Sequence, residues 1–140
     1  MGKNKSKWWS EVVDIVRQYH NYKKELLVLD EEYAYSHSVN NDIKVHNSNI
    51  SGGAADAAIR AISDERREYL ISAVKAVDYA IAITKTYDNA ESRLNYIKLR
   101  YWDNRYTHYG AASQVFVHCN TASKWNSEFI RCVARKMGFV

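Results

Sequence analysis

Proline is absent from this 140-residue chain and glycine occurs only five times. Those two residues most often interrupt a helix, so their scarcity argues against a turn-rich β fold and for long helices. The two cysteines, Cys119 and Cys132, are too few for a disulfide framework. Without an export signal they read as reduced thiols, which places the chain in a cytosol. No run of about 18 apolar residues exists, so neither a transmembrane helix nor a membrane partner is expected. The basic start (Lys3, Lys5, Lys7) meets Glu11 before any apolar signal core develops.

The glycine-dependent motifs of phosphate binding and nucleophilic catalysis are missing as well. There is no P-loop, GxGxxG or GxSxG, and Gly52-Gly53 is the one glycine pair. His108, His118, Cys119 and Cys132 lack the paired spacing of a zinc site, and the adjacent His118 and Cys119 are poorly placed to share one ion. His118 reads better as a helix cap or phosphate contact, and Cys132 as a small apolar residue. The acids Asp30, Glu31, Glu32, Asp64 and Glu65 have Lys and Arg nearby and read as solvated helix faces. The expectation is a protein that is not an enzyme and has neither cofactor nor metal.

What is present is material for a core. Hydrophobic residues make up 46% of the chain and charged residues 26%, which excludes general disorder. The 11 Tyr and 4 Trp are expected mostly as helix-packing anchors. The fold class expected is all-α: two long helices in a hairpin or coiled-coil arm, followed by a C-terminal three-helix unit. Residues 1–35 hold the first long helix, with Trp9, Val12, Val16, Tyr19, Leu26 and Tyr33 on a 3–4 spacing. Residues 36–53, rich in Ser and Asn and containing His37 and His46, read as a flexible loop ending in Ser-Gly-Gly. Residues 54–87 hold the second long helix, its apolar face running through Ile59, Ile62, Leu70, Ala73, Val77 and Tyr87. Whether these helices pair within one chain or between two in a homodimer is left open by the pattern.

Net charge of +4 is distributed unevenly. Residues 1–33 carry 6 basic and 6 acidic side chains, residues 34–53 one of each, and residues 54–87 five of each. Residues 88–140 carry 8 basic against 4 acidic and so hold the whole excess, a footprint suited to a polyanion. In this segment a helix begins near Asp88–Glu91 and is broken by the polar stretch Asp103–Tyr106. A short helix capped by Thr107 follows, then a longer one from about His118 to Met137, stopped by Gly138. Ala111 and Ala112 permit a close helix crossing, and Ala122, Trp125, Phe129 and Val133 form an inward stripe. The outward face is then Asn120, Thr121, Ser123, Lys124, Ser127 and Arg131, short polar groups and cations suited to base edges and phosphates of double-stranded DNA. With Thr107 these are the candidate DNA-binding residues of a helix-turn-helix. Phe116 stands at the turn where such motifs often place glycine, which implies another turn type or a strained positive φ.

The run Leu99-Arg100-Tyr101-Trp102, the spacer to Tyr106-Thr107, and Thr121-Ala122-Ser123-Lys124-Trp125 together resemble the RinA/ArpU-like phage transcriptional regulators. Glu65-Arg66-Arg67 leading into Ala73, and the N-terminal helix with Tyr19 and Tyr22, are similar to that family's other helices. The resemblance implies a sigma-factor-like helix-turn-helix and an activator of late phage genes, with host RNA polymerase as a further partner. Phe116 and the acidic Glu128 depart from it. A small terminase-like DNA-packaging subunit and a helical protein-interaction module are the rival readings.

Overall fold

A computed structural model describes the backbone of residues 2–43 and 53–140 and the side chains of residues 7–35 and 54–140. Among the described residues five α-helices follow one another: α1 (Gly2–Ile43), α2 (Gly53–Thr84), α3 (Ala90–Ile97), α4 (His108–Gln114) and α5 (Cys119–Met137). A π-helical turn, Lys98–Trp102, extends α3 and closes with the Asp103 amide donating to the Lys98 carbonyl at 2.8 Å. There is no strand among the described residues, as the lack of Pro and Gly implies.

α1 exceeds its expected bounds and runs through 36–43, where a loop was anticipated. Between Gly2 and Gly52 the sequence has neither Gly nor Pro, so nothing stops a helix already nucleated upstream. The loop expectation for 44–52 and the readings of His37 and His46 lie outside the described residues. α2 ends at Thr84, three residues short of Tyr87, and residues 85–89 form turns.

The chain divides into two compact units, and the division falls inside the long helices. One unit comprises residues 1–20 and 73–140. Its core joins Val12, Ile15, Val16 and Tyr19 of α1, Ala73, Ala76, Val77 and Ala80 of α2, Tyr96 and Ile97 of α3, and the inner faces of α4 and α5. Polar anchors fix the register of these helices. The Trp102 indole N–H donates to the Val16 carbonyl at 2.9 Å, and its ring packs against Tyr19 and His20. Tyr19 donates to the Asp78 carboxylate, and Tyr101 donates to Asn126 Oδ1. Trp9, expected in this core, is half-buried and packs on Trp8.

The other unit comprises residues 21–72. Here Tyr22 meets Tyr69 edge to face, Arg66 forks onto Glu25 at 3.1–3.2 Å, and Arg67 reaches Asp30 at 2.7 Å. Arg66 also lies over the rings of Tyr22 and Tyr69, and Arg67 over Tyr33. Among the described residues of this unit Tyr22 and Leu70 are the buried apolar side chains, whereas Leu27, Val28, Tyr33, Ile59 and Ile62 are exposed, contrary to the stripe expected for Tyr33, Ile59 and Ile62.

Candidate nucleic-acid interface

α4 and α5 are joined by the four residues Val115–His118, and each of the two helices begins on a side-chain cap. Thr107 caps α4: its extended backbone turns the hydroxyl back to accept from the Gly110 amide at 3.1 Å. His118 caps α5, its Nδ1 accepting from the Asn120 amide at 3.1 Å. This is the cap role anticipated for His118. For Thr107 it means that one lone pair of the candidate DNA contact is already engaged inside the protein. At the far end Gly138 takes the left-handed conformation (φ 86°) and the Phe139 amide donates to the Ala134 carbonyl, closing α5 with the geometry that glycine favours.

Between the caps, Phe116 sits at φ 61° with 94% of its surface exposed. A left-handed backbone strains any residue with a Cβ, by on the order of 1 kcal/mol or more. The exposed ring regains none of this by burial. Thus the turn keeps the conformation that glycine would suit, in spite of the phenylalanine.

α5 packs against both α3 and α4. Ala122, Trp125, Phe129 and Val133 are buried, as their spacing implies. Ile130 and Ala134 are buried too, which widens the inner face beyond one stripe because two helices cover it rather than one. The outer residues separate accordingly. Asn120, Thr121, Ser123, Lys124 and Arg131 are exposed and Ser127 is half-buried. Asn120, Lys124, Ser127 and Arg131 follow one another at steps of 4, 3 and 4, so they form a single row along the helix. Ser123 borders this row on one side and Thr121 on the other.

Glu128, the acid that sits awkwardly on a DNA-facing helix, is directed elsewhere. Arg93 of α3 pairs with it at 2.5 Å, and the same guanidinium donates to Asn89 at 2.7 Å and lies 4.2 Å from the Tyr87 ring centroid. The pair lines a cavity of about 200 Å³ walled by Tyr79, Tyr87, Trp125 and Phe129. Cys132 also faces this cavity, and burial pushes its thiol pKa up, which keeps the sulfur protonated and apolar in character.

Sequence reasoning did not foresee the part taken by His108. Its Nδ1 lies 2.6 Å from the hydroxyl of fully buried Tyr96, and its Nε2 lies 3.1 Å from the Cys119 carbonyl and 3.0 Å from Ser123 Oγ. One imidazole thereby ties α3, α4 and the start of α5 together. No periodicity signals such a residue, because its partners lie 11 to 15 positions away on other helices. Of the imagined zinc set, His108 and His118 thus hold their protein hydrogen bonds through ring nitrogens, and no three His, Cys, Asp or Glu side chains converge among the described residues.

No family model matches the chain, and no match is found among curated proteins or solved structures.

Proposed function

We propose that this chain is a sequence-specific DNA-binding regulator in which α4 and α5 act as a helix-turn-helix and α5 lies in the major groove. The observation that carries the reading is the outer row of α5. Asn120, Lys124, Ser127 and Arg131 line one edge of a helix whose opposite edge is locked into the core. Amide, hydroxyl and guanidinium groups on a rigid helix are the chemistry that contacts base edges and phosphates. The charge supports the same reading. Residues 88–140 hold the whole basic excess, and the Arg93 pair compensates Glu128. The N-terminal end of α5 has no acid in its first turn, so the partial positive charge of the helix is not offset there. The likeness of Thr121–Trp125 to the phage regulators narrows the proposal to an activator of late phage genes that works with host RNA polymerase.

The test uses all 140 residues, since the segment 88–140 is packed against helices outside it, as the Trp102 bond to Val16 illustrates. Duplex affinity measured by fluorescence anisotropy should fall with salt at a log–log slope of roughly −3.6, if about four phosphates are neutralised. Lys124→Ala and Arg131→Ala should each flatten that slope by about one unit on every sequence. Asn120→Ala should cost about 1–3 kcal/mol on a duplex selected from a random pool and relax one base preference. A triple variant at these positions that binds with unchanged affinity and slope would refute the assignment.

A further inference from the structure

We infer that His108 fixes Ser123 as a hydrogen-bond donor aimed out of the protein, so that Ser123 contacts an acceptor on the nucleic acid, either a phosphate oxygen or a purine N7. The inference rests on the reading of α5 as the helix that meets DNA and adds the polarity of one contact to it. The Cys119 carbonyl can only accept, and it lies 3.1 Å from His108 Nε2, so that nitrogen carries a proton. In the neutral ring Nδ1 then has the lone pair, and the buried Tyr96 hydroxyl 2.6 Å away donates to it. Ser123 Oγ, 3.0 Å from the same Nε2–H, therefore stands as an acceptor toward the ring.

A serine oxygen that accepts from His108 turns its own proton away from the ring. Serine within a helix often returns that proton to the carbonyl four residues back, which for Ser123 is Cys119. Here that carbonyl faces the His108 N–H, and no acceptor for the Ser123 proton is found among the described residues. Ser123 is exposed beside the Asn120–Arg131 row, so the proton points where a DNA acceptor would lie. His108 acts through Ser123 and is a positioning residue.

The experiment takes a duplex selected by the wild-type protein from a random pool and places single methylphosphonates or single 7-deazapurines along it. Ser123→Ala should bind the unmodified duplex about five- to tenfold more weakly, the size of one hydrogen bond. One modification should weaken the wild type by a similar factor and leave Ser123→Ala unaffected. A methylphosphonate at that position identifies a phosphate acceptor, and a 7-deazapurine identifies a base edge. His108→Phe, checked for folding by circular dichroism, should lose the same sensitivity, and His108→Gln, which retains an N–H donor, should recover it. If His108→Phe fails to fold, the Gln and Ser123 arms decide alone. Ser123→Ala binding as tightly as wild type, or no modification whose penalty vanishes in that variant, overturns the inference while the reading of α5 stands. A wild-type protein that binds no duplex overturns both.

Discussion

Tyr22 and Leu70 are the buried apolar side chains of residues 21–72, whereas the unit of residues 1–20 and 73–140 buries Tyr96, Ile97, Trp125, Phe129, Ile130 and many others among the described residues. In the larger unit, side chains from every helix interlock, and indole and phenol donors find partners across it. The contacts of the smaller unit include solvated ion pairs, guanidinium stacks and an edge-to-face tyrosine pair, while Ile62 is left 67% exposed. The same helices, α1 and α2, pass through both. Helical pattern therefore does not set burial here; the number of helices that converge on a segment does. A pair of helices offers each stripe one partner, and a bundle offers it several.

Four substitutions and one titration bear on this comparison. Phe129→Ala in the large unit should cost about 3–5 kcal/mol in urea denaturation, because removing this buried ring enlarges a cavity walled by residues of α2, α3 and α5. Leu70→Ala in the small unit should cost about 2–3 kcal/mol, near the lower limit for such truncations, since solvated neighbours can close over the gap. A larger loss at Leu70 than at Phe129 would reverse the comparison. Arg66→Ala should cost about 0.5–1 kcal/mol, shrinking with salt, as expected of a pair whose partners are both about 40% exposed. Phe116→Gly is expected to work in the opposite direction and stabilise by about 0.5 kcal/mol, the relief of a left-handed backbone less the entropy glycine adds to the unfolded chain. A measured destabilisation there would show that the ring has a partner within the fold.

The titration concerns tyrosine. Burial strips water from the phenolates of Tyr19, Tyr96 and Tyr101 and raises all three pKa values, that of Tyr96 to about 12. Below pH 10 the folded and unfolded chains both hold these protons, so the groups leave stability unaffected by pH. As pH rises from 10 to about 12 the unfolded chain releases protons that the folded one retains, and stability must fall. Phenolate absorbance should show these three, all of the large unit, ionising together with its unfolding, and ionisation near pH 10 without unfolding would refute their burial.

The inner stripe of α5, the Thr107 cap and the Gly138 stop were legible in the sequence because each depends on neighbours within a turn or two. The strain at Phe116 was foreseeable for the same reason: the length of the α4–α5 connection calls for a left-handed residue, whatever residue stands there. The exposure of Ile59, Ile62 and Tyr33 was not legible, since periodicity identifies an apolar face without saying how much will cover it. Nor was the extent of α1, where polar residues of weak propensity continue a helix through 36–43.

By itself, the sequence determined an all-helical chain, the caps that punctuate its last third, and which edge of α5 is apolar. These follow from backbone propensity and from a period of 3.6, both local properties. Tertiary structure alone decided that Glu128 faces Arg93, that Trp102 is tied to α1, and that His108 holds Ser123. Each of these joins residues on different helices. Their geometry follows from how the helices pack, so no spacing along the chain records it.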